Sequence, residues 1–386
     1  MDIKPPVRRK LPPPIAPVPP TPVEQVMPVA EPTNMKELQA KRRGGVRKYL
    51  WLIIAGAFAL FIGGIITWYF WALQPRDPSN TRPVRFVVNS GDGSARISSE
   101  LESHGLIRSA LAFRINAELT GAKSKLQAGG FALSPAQSVQ DITDHIVKGN
   151  TDEINIIILP GLTLSEQMDP EVRNSLAWQG FSKDEITEAL NSHYDHPLFA
   201  GKPAGTSLEG YLFPETYRIN ASDPLSVLFR RSFDEAYNRL QKDGMVAKFA
   251  AQGLNLYQAF TLASIVQKEV SNSTDQRQVA QVFLKRLREG VVLGSDVTFI
   301  YAAHQLGVTP SVNLDSPYNT RKYPGLPPGP IANMNYSALQ AVADPASGDY
   351  LYFVAGDGAD EGKTFFARTE AEHQANVAAH CHTLCN

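Results

Sequence analysis

Cysteine is almost missing from these 386 residues: only Cys381 and Cys385 occur, both within the last six positions. No disulfide framework can therefore hold the fold, and the apolar core must do so alone. The two stand in "HCHTLCN" beside His380 and His382. Ligands this close in sequence have no loop between pairs to wrap one ion, so neither a metal nor any other cofactor is expected. Net charge is also missing, since 37 Lys and Arg against 38 Asp and Glu leave −1. A chain without a global field has no general attraction for polyanions, and no nucleic-acid partner is expected. The familiar nucleophile signatures are absent too. "GTSLEG" has one residue too many for a G-x-S-x-G elbow, and no S-x-x-K, H-E-x-x-H or P-loop occurs. Serine hydrolase, penicillin-binding and metalloprotease readings all weaken.

What is present falls into segments. Residues 1–48 hold eleven of the 28 prolines and almost no aromatic residue, which reads as a disordered tail with local polyproline II structure. Residues 49–73, "YLWLIIAGAFALFIGGIITWYFWAL", carry no charge and are long enough to cross a bilayer core of about 30 Å. Tyr49 and Trp51 mark one interface; Trp68, Tyr69 and Trp71 mark the other. Five basic residues precede the span and only Arg76 follows closely, so the amino terminus is expected in the cytoplasm and the bulk of the chain outside it. Residues 74–83 read as a linker. Residues 84–150 alternate strand, glycine turn, two helices, strand and a third helix ending at Gly149, a compact α+β module. Of its aromatics, Phe113 and Phe131 are the candidates for exposure. From residue 151 to 380 the pattern is mainly helical, with a strand at "INIII" and another at "DYLYFVA", and residues 381–386 form a terminal tail. The expected class is α+β behind a single transmembrane helix.

The remaining chemistry lies in carboxylates. In "TLASIVQKEV", residues 261–270, a helical wheel with Leu262 at zero puts Ile265 at about −60°, Val266 at about +40° and Glu269 at about −20°. Glu269 thus falls inside the apolar stripe, with Gln267 and Lys268 off it. A carboxyl facing an apolar wall keeps its proton towards neutral pH, as a general acid must. Alternatively the helix ends near Lys268, and Glu269 turns to solvent or pairs with Arg277 or Arg286. In "SLEGYLFPETYRI", Glu209 and Glu215 interleave with Tyr211, Phe213 and Tyr217, a mixture suited to sugar faces and hydroxyls or, equally, to filling a core. "GSDVTFIYA" places Ser295 and Asp296 at a helix start, and "YNTRKYPGLPPGPI" is stiff enough to wall a groove.

Together, "LEGYLFPETY", "LASIVQKEV", "VAQVFLKRLREGVVLGSDVTFIYA", "SPYNTRKYPGLPPGPIAN" and "ALQAVADPASGDYLYFVA…GKTFFARTEAEHQANV" closely resemble the YceG-like, or MltG, family of membrane-anchored endolytic murein transglycosylases. The resemblance covers residues 84–380 in colinear order. It implies a LysM-like subdomain over residues 84–150 and a catalytic domain over 151–380. Family members carry E-K-E in the helix motif, with the second Glu catalytic; here that position is Glu269, and the first is Gln267. The implied reaction cuts the bond between N-acetylmuramic acid and N-acetylglucosamine in nascent peptidoglycan and leaves 1,6-anhydro ends. Glu209, Tyr211, Ser295, Asp296, Tyr318 and Asn319 are the implied lining of the site, with Glu215 a further candidate. Implied partners are glycan strands and penicillin-binding proteins, at the inner membrane with a periplasmic catalytic domain. Two other readings stay open: a silent peptidoglycan-binding scaffold, and a hydrolase using Glu209, Glu215 or Asp296 as second carboxylate.

Overall fold

The structure, a computed structural model, describes residues 35–382, with side chains from residue 49 onward. Expectations for residues 1–34 and for Cys385 lie outside the described residues. The chain divides into two units, residues 1–67 and 68–386. In the first, α1 (Met35–Ala72) begins, and it takes in residues 35–48 as well as the apolar run. Its segment Tyr49–Ala72 is long and apolar enough to cross a membrane, and its large side chains are exposed, as lipid-facing groups are. The last turn of α1, from Trp68, belongs to the second unit.

The second unit starts with a small α+β module: β1 (Val84–Val88), α2 (Ser94–Ser103), α3 (Ala110–Leu119), β2 (Gly129–Leu133) and α4 (Val139–Lys148). Strand β1 pairs antiparallel with β2, Phe86 opposite Phe131, so both rings point into the same core as Ile97, Leu101, Phe113, Ile142 and Ile146. Phe113 and Phe131 are therefore buried, contrary to the expectation of exposure: strand pairing and helix packing turn each one inward. Helix α4 starts in a reciprocal Ser138–Asp141 capping box and stops at Gly149, whose φ of 70° favours glycine.

The larger part follows with β3 (Glu153–Ile157), α5 (Leu164–Gln167), α6 (Lys183–Asn191), β4 (Thr216–Asn220), α7 (Leu225–Lys242), α8 (Met245–Ala251), α9 (Leu256–Glu269), α10 (Ser273–Glu289), α11 (Asp296–Leu306), α12 (Tyr336–Ala343), β5 (Tyr352–Ala355), β6 (Thr364–Ala367) and α13 (Glu370–His380). Strands β3 and β4 pair antiparallel, as do β5 and β6, which makes three two-stranded sheets among the described residues. Helix α9 is the axis of this part. Its Ala259, Leu262, Ala263, Ile265 and Val266 are fully buried, and it packs against α8, α10, α11 and α12. A helix apolar on nearly every side is one that neighbours surround.

Asp152 joins the two cores. Its N–H donates to Gly130 O (2.9 Å), its carbonyl accepts from Ala221 N–H (2.8 Å), and its carboxylate accepts from Ala132 N–H (2.7 Å). A Cβ on Gly130 would sit 2.0 Å from Ser222 N, so only glycine lets the backbones approach this closely. Beside this junction, buried Arg85 pairs with Glu185 (2.8 Å), donates to Ala221 O (2.7 Å) and lies over the Phe181 ring.

Candidate active site

Helix α9 starts in an Asn255–Gln258 capping box and ends at Glu269, because Val270 turns to extended backbone (φ −143°, ψ 147°) and Asn272 caps α10. This reversal leaves Glu269 at the mouth of the buried stripe, half-buried rather than sealed. The Ser295 hydroxyl at the start of α11 donates to Glu269 Oε1. Ser295 is itself fixed: its N–H donates to Thr320 Oγ1 (3.2 Å), and Thr298 Oγ1, 2.9 Å from Thr320 Oγ1, donates to the Ser295 carbonyl (2.7 Å). Burial pushes the Glu269 carboxyl up to about 7. The Ser295 hydrogen bond pulls the other way, the Asp296 charge adds to the rise, and Arg321 and Arg286 oppose it. Asp296 pairs with Arg321, while Arg286 donates to Leu351 O (2.7 Å) and Leu293 O (2.5 Å). Arg277 donates instead to Asp344 O (2.8 Å), so neither it nor Arg286 ion-pairs with Glu269.

The neighbours of Glu269 on the wheel point elsewhere. Gln267 Oε1 accepts from Asn335 N–H (3.0 Å), and Lys268 Nζ donates to Gly161 O (3.2 Å). Each ties α9 to a flanking loop, and neither takes part in the Ser295 contact.

A second carboxyl lies further along α11. Glu209 is buried, with Leu164 N–H 3.2 Å from both its oxygens and the Tyr301 hydroxyl donating to it (3.3 Å). Burial raises its pKa to about 7, against the lowering effect of the Leu164 and Tyr301 hydrogen bonds. Tyr301 sits six residues beyond Ser295, about 9 Å along the helix. Its ring lies 5.1 Å from that of Tyr318, whose hydroxyl burial pushes up to about 12. The "GLPPGPI" loop closes on Tyr257 and Tyr318: Tyr257 OH donates to Pro328 O (2.8 Å), and a Cβ on Gly329 would meet that hydroxyl at 2.4 Å and the Tyr318 hydroxyl at 3.5 Å.

Helix α11 thus brings together Glu269, Ser295 and Asp296 at its start, and Glu209 and Tyr318 further on. Three other expected site residues stand apart. Tyr211 is fully buried and stacks on Phe260 at 5.1 Å, a core position. Glu215 pairs with Arg239 of α7 at 2.5 Å, on the outer side of β4. Asn319 is buried and shapes its own loop, donating to Val312 O (2.8 Å) and Leu314 O (2.9 Å). Sequence reasoning missed Tyr301, Thr298, Thr320 and Arg321. The first two lie on α11 six and three residues from Ser295, and that helical spacing could have flagged them. Among the described residues no group of three or more His, Cys, Asp or Glu is placed to hold a metal ion.

Fold and site together define an α+β protein with one protonated, partly accessible carboxyl held by a serine at a helix start. The profile of the YceG-like family matches residues 86–379, and the chain belongs to that family. It is similar to the protein named endolytic murein transglycosylase in Streptococcus pneumoniae serotype 2 (strain D39), with 30% identity over 347 residues, 82% of this chain and 61% of the relative. The chain thus spans about three fifths of that relative's length. A protein of the same name in Bacillus subtilis (strain 168) is 29% identical over 343 residues, 81% of this chain and 89% of the relative. A crystal structure of a yceG-like protein from Listeria monocytogenes is 26% identical, with a TM-score of 0.46 over 76% of this chain and 98% of that one.

Proposed function

We propose that this chain is an endolytic lytic transglycosylase of peptidoglycan. The observation that carries the reading is Glu269: one carboxyl, protonated to about 7 and partly open, with no unpaired second carboxylate beside it among the described residues. Glu215 and Asp296 are held in ion pairs, and Glu209 is sealed and keeps its own proton to about 7. Hydrolysis normally needs an acid and a base on either side of the bond, whereas an intramolecular attack needs one group that acts in turn as both. The names of the relatives support the same substrate.

In this reaction Glu269 gives its proton to the glycosidic oxygen as the bond to C1 of N-acetylmuramic acid breaks. The resulting carboxylate then takes the proton of the C6 hydroxyl of the same sugar, and O6 closes on C1. Glu269 ends as it began, no water is consumed, and the products are one strand with a new non-reducing N-acetylglucosamine end, whose freed hydroxyl carries the donated proton, and one strand with a 1,6-anhydro end. Ser295 holds the carboxyl in position for both transfers, and Asp296, Tyr318 and Glu209 line or support the sugar site. Tyr211 and Asn319 support the surrounding core and loop, and Glu215 takes no part.

The helix at Tyr49–Ala72 anchors the chain in the inner membrane, with the basic side of the span inside and the catalytic domain in the periplasm. Tethering raises the effective concentration of the site near newly made strands. Residues 84–150 act as a LysM-like module that orients the glycan, and cell-wall synthases such as penicillin-binding proteins are the partners this placement favours.

The test incubates the full chain in detergent micelles with uncrosslinked glycan strands and weighs the new ends. Ends lighter than hydrolytic ones by one water are expected. Reducing ends would mean a hydrolase, and uncut strands a binding scaffold.

A further inference from the structure

Helix α3 is apolar on two faces. Ala112, Phe113 and Ala117 pack into the module's core, yet Leu111, Ile115 and Leu119 point outward with 48%, 37% and 74% of their surface exposed. Spacing by four puts these three side chains in one stripe along the helix. Isolated exposed leucines are ordinary, but an ordered stripe opposite a buried face is not what a helix facing only water carries.

The neighbours of the stripe identify what covers it. Helix α3 holds the last turn of α1, where the aromatic residues that end the apolar span are found. The Tyr69 hydroxyl lies 3.5 Å from Asn116 Oδ1, next along the chain from Ile115. Arg108, three residues before Leu111, lies 4.6 Å over the Trp71 ring and donates to Pro75 O (2.7 Å). Arg76 donates to Ile107 O (3.2 Å). Trp68, Phe70 and Trp71 are themselves exposed. Aromatic side chains at the end of a span sit at headgroup level, so the helix clamped to them sits there too. Arg114 stands one residue before Ile115, and Arg76 and Arg108 stand at the start of the helix through the contacts above, a basic setting like that of helices that lie in the plane of an anionic bilayer.

We propose that the outer face of α3 lies in the membrane interface, with Leu111, Ile115 and Leu119 among the upper acyl chains and the flanking arginines at the lipid phosphates. The module is then a foot resting on the bilayer as well as a spacer. This rests on the reading of Tyr49–Ala72 as a membrane anchor.

The full chain is reconstituted in vesicles of phosphatidylethanolamine and phosphatidylglycerol, with the photo-crosslinker p-benzoylphenylalanine placed singly at positions 111, 115 and 119. The same residue at position 62, inside the apolar span, reports on the anchor. Positions 246 and 291, where Val246 and Val291 are exposed apolar side chains outside this module, give the background. After irradiation, mass spectrometry is expected to find phospholipid adducts at 62, 111, 115 and 119, the last three at least tenfold above positions 246 and 291. Adducts at 62 with only background at the α3 positions would overturn the proposal and leave the anchor standing. Crosslinks from the α3 positions to a second copy or another protein would overturn it in the same way. Absence of adducts at 62 would remove the anchor and the proposal together.

Discussion

The end of α9 and the turn before Gly210 each hold a carboxyl whose proton stays on to about pH 7, and the two settings share little else. Glu269 stands half-open at a chain reversal, and its one specific partner in the described structure is a hydroxyl, which can rotate away. Glu209 is sealed under Leu164 and Tyr301, a backbone N–H and a ring fixed by packing. Burial drives both shifts, so a raised pKa by itself does not single out a catalytic acid. Access and a yielding partner are what recommend Glu269 for the proposed role.

Four measurements would break or sharpen that contrast. The largest effect is expected from Glu269→Gln, which should lower cleavage by about 10³-fold or more while circular dichroism stays near that of the parent and the melting temperature does not fall. Cleavage at the parental rate would remove Glu269 from the chemistry. Next is Glu209→Ala, which leaves Leu164 N–H and the Tyr301 hydroxyl without their acceptor. Unfolding in urea should show a loss of about 2–4 kcal/mol, against no loss for Glu269→Gln.

Third is the pH dependence of stability. A carboxyl whose folded pKa is raised makes folding most favourable below its unfolded value, and this advantage fades as pH rises through the folded value. For Glu209 the window runs from its ordinary value of 4.5 to about 7, worth about 3 kcal/mol at about 1.4 kcal/mol per pH unit. Glu269 is raised over the same window, so Glu209→Gln should remove about half of the decline and leave the part that Glu269 carries. An unchanged slope would mean that Glu209 is not the group responsible. The smallest effects concern the activity profile, which should fall above about pH 7 as Glu269 loses its proton. Ser295→Ala removes a bond that favours the carboxylate, so the falling limb should move to higher pH. Asp296→Asn removes a repelling charge and should move it lower. Shifts in the same direction for both variants would contradict the electrostatic account.

Much of this was legible in the sequence where the determining contacts are local. Helices α4, α6, α9 and α10 announce themselves by periodicity and caps, and Glu269 could be placed because one wheel decides its face. The β3–β4 pairing could not be read, since its strands are separated by two helices and register is set by tertiary packing. For the same reason Tyr211 and Glu215, four residues apart in one motif, had equal claims on the site. Only the fold shows that one stacks on Phe260 in the core while the other meets Arg239 outside. The sealing of Glu209 was hidden as well, because Leu164 and Tyr301 arrive from distant segments.

The joint at Asp152 has a mechanical meaning. Three backbone-linked hydrogen bonds, a buried Arg85 paired with half-buried Glu185 and a glycine that admits no side chain stiffen the joint between the small module and the part that carries Glu269. From Trp68 onward the protein therefore works as a ruler rather than a leash. Under the proposed function, an acid mounted on such a piece would meet its polymer at one preset station, and the length of strand left behind would follow from the stiffness of the mount as much as from the chemistry of the cut.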